Sequence, residues 1–209
     1  MIRILIADDH SIVRRGLKEI LLDEFPDAQI SEVNNGAELL QKARKETWNI
    51  IISDLSMPGR NGLEALKQLK VESPKIPVLI LSMHPEDQYA IRVLRAGAAG
   101  YLTKESASDE LVNAVRKILD GRRYITPSIA EKLAESLEKD LSATLHETLS
   151  DREFDVLKLI ASGKTVSEIA DIFSLSVNTV STYRARILEK MNMKTNAELT
   201  HYAINKKLV

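Results

Sequence analysis

The stretch ILIADDH, residues 4–10, closes an apolar run on two adjacent carboxylates, Asp8 and Asp9. Like charges that close repel, and each raises the other's pKa unless something positive lies between or above them. Three later apolar runs also end on chemically active side chains: IIISD on Asp54, VLILS on Ser82 and GYLTK on Lys104. Three carboxylates attract a hard divalent cation, and Mg2+ is normally held by one or two of them with several waters. Mn2+ suits the same oxygen donors. A carboxylate gripped by such an ion, beside a lysine and a hydroxyl, is arranged to receive a phosphoryl group. Carboxylate nucleophiles do form covalent aspartyl phosphates. The pattern makes Asp54 the phosphoacceptor, with Lys104 and Ser82 as phosphoryl ligands. Asp8, Asp9 and Asp54 are the metal ligands, and the backbone carbonyl of Ser56 completes the shell.

These groups meet only if the runs that carry them are neighbouring strands. Up to about residue 123 the chain alternates short apolar runs, at 2–7, 28–33, 50–53, 78–81 and 100–102, with helix-period stretches. The amphipathic stretches are 12–22, 37–45, 63–71, 88–96 and 108–119. Five βα units in succession predict a parallel sheet covered by helices on both faces. In such open sheets the ligand site lies beyond the carboxyl ends of the strands, where the strand order switches. A doubly wound order makes the first and third strands neighbours and brings Asp54 beside Asp8 and Asp9.

The bulk numbers exclude several other chemistries. The 209 residues are enough for two modest domains. No cysteine is present, which rules out disulfides, thiol catalysis and Cys-based zinc sites. Net charge is −1, so any nucleic-acid contact must come from a local patch. No apolar run approaches the about 20 residues that span a bilayer, and no secretion signal is visible, so a cytoplasmic protein is expected.

Beyond Gly121 the pattern changes. Residues 126–145 place Ala130, Leu133, Ala134 and Leu137 at helical spacing among charges, which reads as a linker helix fading into polar chain. Past Leu149 no strand signal remains. Three helix starts carry a Ser or Thr with Glu three residues later: Ser150/Glu153, Thr165/Glu168 and Thr195/Glu198. A fourth start falls at Ser176, and Gly163 suits a left-handed helix stop. The spacing predicts two short helices meeting at 174–176, a helix–turn–helix whose second helix enters the major groove of double-stranded DNA. Ile169, Ala170 and Ile172 would pack the first helix, and Val180, Ile187 and Leu188 the second. The face offered to DNA carries Asn178, Thr179, Ser181, Thr182, Arg184, Ala185 and Arg186, with Lys190 and Lys194 further on. From His146 onward there are nine Lys/Arg against eight Asp/Glu, so affinity must rest on clustering along 184–194, where Glu189 is the one acid.

Two resemblances follow from these motifs. LIADDH, IISDLSMPGRNGLEAL, VLILS and GAAGYLTK resemble the receiver domain of two-component response regulators. LSDREFDVLKLIASG, SEIADIFSLSVNTVSTYRARILEKM and TNAELTHYAI resemble the LuxR-type DNA-binding domain. Together they are similar to the NarL/FixJ class of response regulators. The resemblance implies an α/β flavodoxin-like (βα)5 receiver over 1–122, a linker with a helical segment over 123–145, and a small all-α helix–turn–helix domain of four helices over 146–209. It also implies phosphorylation of Asp54 by a sensor histidine kinase, Mg2+ dependence, and pairing into a homodimer when phosphorylated or on DNA. Tyr101 is implied as a switch residue that turns inward as the Ser82 hydroxyl moves toward the phosphoryl group. Ser56 and His84 fall where dephosphorylation is tuned, and no membrane partner is implied. The chain departs from the family pattern in two places. Glu105 follows Lys104 where many receivers have proline, which leaves the cis or trans state of that bond open. Ser181-Thr182-Tyr183 stands where many LuxR-type domains carry a lysine-threonine-histidine run. Leu199, Ala203 and Ile204 are candidate dimer contacts or simply core. An aspartate-based phosphatase is the main rival, but it wants a second carboxylate where Ser56 stands.

Overall fold

A computed structural model describes residues 1–59, 61–84, 86–139 and 145–209 of the chain. Residues 140–144 of the expected linker therefore lie outside the described residues. The chain divides into two compact units, Met1–Glu135 and Ser136–Val209.

In the first unit, β1 (Arg3–Ala7), β2 (Gln29–Val33), β3 (Ile50–Asp54), β4 (Val78–Ser82) and β5 (Gly100–Thr103) form one parallel sheet in the order β2-β1-β3-β4-β5. The connections are α1 (Ser11–Glu24), α2 (Gly36–Lys45), α3 (Gly62–Glu72) and α4 (Glu86–Arg95), and α5 (Ala107–Leu119) follows β5. Strand order reverses between β1 and β3, which opens a crevice above their carboxyl ends. The central strands read as unbroken apolar runs because both of their faces are covered: every residue of β3 and β4 is buried. Each fully buried Ile or Leu contributes about 1.5–3 kcal/mol by leaving water. Edge strand β2 is buried only at Val33. The helices start on short polar caps. Asn35 and Asn61 accept the Glu38 and Glu64 N–H groups, and Glu38 and Glu64 also favour the positive ends of their helices.

Strands β3 and β4 each run one residue further than the apolar pattern predicts. Asp54 pairs with Leu81, and Ser82 with Thr103, so both residues sit inside the ladder. The Leu55 N–H to Leu81 carbonyl bond (2.8 Å) and the Lys104 N–H to Ser82 carbonyl bond (2.7 Å) extend the pairing past the apolar runs. After α5 the chain turns at Gly121 (φ +80°), and Tyr124 forms a parallel bridge to Gly100. Tyr124 is buried in the same core as Leu79, Leu102 and Leu111. The linker helix α6 (Pro127–Lys139) follows. On it Ile129 is fully buried while Ala130 and Ala134 are exposed.

The second unit holds a short 3-10 turn (Leu145–Thr148), α7 (Asp151–Ala161), α8 (Val166–Phe173), α9 (Val177–Lys190) and α10 (Asn196–Asn205). Full capping boxes begin α7 at Ser150/Glu153 and α8 at Thr165/Glu168. At α10 the expected box is offset. Thr195 accepts the Glu198 N–H, but the Glu198 carboxylate reaches back to the Lys194 N–H (3.0 Å). Gly163 takes the left-handed stop with φ +82°. Phe154, Leu157, Ile169, Val180, Ile187 and Leu199 form the fully buried centre. Ile172 does not pack there: it is 53% exposed, one step off the face that carries Ile169.

Candidate functional site

The crevice above β1 and β3 assembles the predicted acidic cluster. Ligand atoms of Asp8, Asp9, His10 and Asp54 all lie within 4.8 Å of one another. Asp8 and Asp54 are buried, at 1% and 2% exposure, while Asp9 and His10 are exposed. Lys104 Nζ stands between the two buried acids, 2.7 Å from Asp8 Oδ2 and 2.9 Å from Asp54 Oδ2. The Ser56 N–H donates to Asp54 Oδ1 (3.2 Å). Burial pushes the Asp54 carboxyl above its ordinary pKa; Lys104 pulls it down without overcoming that, and Asp8 adds to the rise. Burial lowers the Lys104 pKa, but hydrogen bonds to Asp54 and Asp8 outweigh it and hold the ammonium above the usual lysine value.

The donor chemistry fits a hard divalent cation. One ammonium faces two buried carboxylates, and Asp9 adds a third acid, so the crevice is rich in the carboxylate oxygen donors that suit such an ion, with the His10 imidazole beside them. The imidazole of His10 braces these acids: its Nδ1 lies 2.9 Å from Asp9 Oδ1 and 3.2 Å from Asp8 Oδ1.

Ser82 and Tyr101 are linked through His84. The Ser82 hydroxyl oxygen accepts the His84 N–H (3.0 Å), and the Tyr101 hydroxyl donates to the His84 carbonyl (2.7 Å). Tyr101 is fully buried, so its ring lies inward. The His84 ring stacks on Tyr89 at 4.8 Å between centroids. No peptide bond among the described residues is cis, so Lys104–Glu105 is trans.

In the second unit, Ser174 closes α8 in the left-handed region (φ 53°), and Ser176 caps α9 by accepting the Thr179 N–H. This tight turn sets α9 against α8. Asn178, Ser181, Thr182, Ala185 and Arg186 lie exposed along α9, as does Lys194 beyond it, and Thr179 and Arg184 are half-buried. Two of the expected contacts are already engaged within the fold. Arg184 Nε donates to Asn196 Oδ1 (2.6 Å), and Lys190 Nζ lies 2.6 Å from Glu153 Oε2. Leu199 and Ala203 are fully buried and belong to the core, whereas Ile204 is 57% exposed.

Comparison with known proteins agrees with both halves. The "Response regulator receiver domain" family matches residues 4–116, and "Bacterial regulatory proteins, luxR family" matches residues 147–203. The chain belongs to the response regulators. The regulator is 36% identical to "Response regulator UvrY" of Escherichia coli (strain K12), over 98% of this chain and 94% of that protein. It is 38% identical to "Response regulator GacA" of Pseudomonas viridiflava, over 100% and 98%. Among solved structures it resembles RcsB of Salmonella enterica serovar Typhimurium bound to a promoter in the presence of the phosphomimetic BeF3-. The TM-score is 0.64, at 26% identity, over 97% of this chain and 98% of that one. The regulator is thus a two-component response regulator with a LuxR-type DNA-binding domain, and no helix among its described residues is long and apolar enough to cross a membrane.

Sequence reasoning missed four contributors to the regulator's sites. A Cβ on Gly62 would stand 2.1 Å from the Asp54 carbonyl oxygen, so only glycine lets α3 start against the strand that carries Asp54. Arg14 Nη1 donates to the Asp8 carbonyl (2.6 Å) and fixes the end of β1 from α1. His10 braces the acids, as above. Val177, 48% exposed at the first turn of α9, puts an apolar group beside the polar face. The NG of RNGLEAL and the helical offset from Asp8 to Arg14 were the only traces available, since each contact spans separate elements.

Proposed function

We propose that the regulator is a cytoplasmic transcription factor switched by phosphorylation of Asp54, with a sensor histidine kinase as phosphoryl donor. The observation that supports this best is the buried Asp54 carboxylate held 2.9 Å from Lys104 within one cluster with Asp8 and Asp9. In the transfer a carboxylate oxygen of Asp54 bonds to the phosphorus of a phosphohistidine. The P–N bond breaks, and the imidazole leaves with the bonding pair and takes up a proton. Lys104 stands where it can pair with a phosphoryl oxygen once it gives up Asp54. The Ser82 oxygen accepts from His84, which leaves its own O–H proton to donate to the phosphoryl group. Asp8, Asp9, Asp54 and the Ser56 carbonyl would hold Mg2+ or Mn2+, which neutralises charge on the phosphoryl oxygens. Ser56 and His84, flanking the site, tune how readily water removes the group.

In the second unit α9 is the recognition helix. Asn178, Ser181, Thr182 and Ala185 let the helix approach base edges, Val177 suits a thymine methyl, and Arg186 reads guanine or grips phosphate. Thr179 lies at the same end of the helix. Lys194 serves as a phosphate contact, and Arg184 contacts DNA only from its brace on Asn196. One such unit seldom reaches the affinity of a regulator, so two copies on two half-sites follow, with exposed Ile204 as a candidate contact. The test is electrophoretic mobility on promoter fragments recovered from genomic DNA by the purified chain. Binding should tighten on incubation with acetyl phosphate and Mg2+ and fail to tighten in Asp54→Ala. Equal binding under all conditions would remove the switch while leaving the DNA reader.

A further inference from the structure

The start of the linker helix is built into the switch side of the receiver. Tyr124 is laid on the β5 edge as a sixth-strand bridge, its N–H donating to the Ala99 carbonyl (2.8 Å). That approach needs a glycine opposite, because a Cβ at Gly100 would sit 3.0 Å from both the Cβ and the carbonyl oxygen of Tyr124. The Tyr124 hydroxyl also donates to Glu110 on α5. Two residues on, Thr126 caps α6: its hydroxyl oxygen accepts the Ile129 N–H (3.3 Å), and its carbonyl accepts the Ala130 N–H (3.0 Å). Pro127 at the first helical position suits such a cap, having no N–H to satisfy. The same Thr126 hydroxyl spends its single proton on the Glu86 carboxylate (2.9 Å), at the first residue of α4.

Glu86 lies two residues beyond His84, whose N–H donates to the Ser82 hydroxyl and whose carbonyl accepts from the Tyr101 hydroxyl. Ser82 and Tyr101 are thus both bonded to His84, and Glu86, the first residue of α4, is bonded to the cap of α6. Tyr101 is inward in this arrangement, and Glu86 and Thr126 are bonded in it. We propose that Thr126 is a positioning residue through which phosphorylation of Asp54 fixes the start of the linker helix, with Glu86 as the group that carries the signal to it. This rests on the phosphorylation reading above. A phosphoryl group that favours inward Tyr101 favours the arrangement in which Glu86 meets Thr126, and so tightens the first turn of α6.

The experiment is amide exchange at Ile129 and Ala130 in the full chain, with and without acetyl phosphate and Mg2+, with intact mass reporting the adduct on every sample. In wild type, phosphorylation should slow exchange at these amides roughly fivefold, the size of one helix cap. Thr126→Ser should keep the response. Thr126→Val should exchange fast in both states. Glu86→Ala is decisive: it leaves the Thr126 cap in place, so a merely structural threonine predicts an unchanged response, whereas the proposal predicts that the response disappears while the adduct still forms. A preserved response in Glu86→Ala, or no response in a wild type that carries the adduct, overturns the proposal. A wild type that takes no adduct overturns the phosphorylation reading itself, and this inference with it.

Discussion

Lys104 offers one ammonium to two buried carboxylates, and that imbalance is the chemical heart of the receiver unit. Removing it leaves Asp8 and Asp54 buried and facing each other. Lys104→Met should therefore cost about 3–5 kcal/mol at neutral pH. The single tryptophan, Trp48, is buried in this unit and reports the urea midpoint that measures the loss. Gly62→Ala should lower the same midpoint too, by a shift equivalent to more than about 2 kcal/mol of stability, since backbone, not a flexible side chain, occupies the space a methyl needs. In the helical unit the matching residue is Glu153, almost fully buried. Burial raises its pKa, but Lys190 and the Ser150 cap outweigh that and hold it below the ordinary 4.5. A depressed carboxyl pKa contributes stability above the unfolded value and loses it as pH falls through the folded one. Glu153→Gln should thus destabilise α7 and α9 by about 1–3 kcal/mol at pH 7. The gap to wild type should close below about pH 4, read from the exchange of amides in those helices.

At the scale of elements, α9 has two ends with different duties. Its first turns carry short polar side chains and Val177, and its last residue is tied to α7 through Glu153. Arg186→Ala should reduce the salt dependence of DNA binding by about one unit of slope, as loss of a phosphate contact does. Lys190→Met should leave that slope unchanged and lower the stability of the unit instead. A drop in slope for Lys190→Met would place its ammonium on DNA. Elements were also where the sequence was most and least legible. The unbroken runs at β3 and β4, and the Ser or Thr caps of α7, α8 and α9, signal their elements through periodicity and local hydrogen bonding, which lie within a few residues. Ile172 misled because a helix pattern gives the period but not which positions at the edge of its apolar face meet a neighbour. The engagement of Lys190 by a residue 37 positions away, and the glycine needed at 62 beside Asp54, depend on elements that the chain brings together only on folding.

At the scale of the whole molecule, the linker helix that follows the receiver unit starts on a cap, Thr126, bonded to Glu86 at the first residue of α4. The acids of ILIADDH, the Asp54 strand and the Lys104 strand come from three separate parts of the chain, yet their order in the sequence was readable because parallel βα units place every strand end on one rim. The central claim is that this rim accepts a phosphoryl group on one named carboxylate with the help of a divalent cation. The most direct test is intact mass after incubation with acetyl phosphate and Mg2+, for wild type, for Asp54→Ala, and for wild type in EDTA. A single phosphoryl adduct on wild type, absent from the mutant and from the chelated sample, is the predicted result. No adduct on wild type, or an equal adduct on Asp54→Ala, would contradict it.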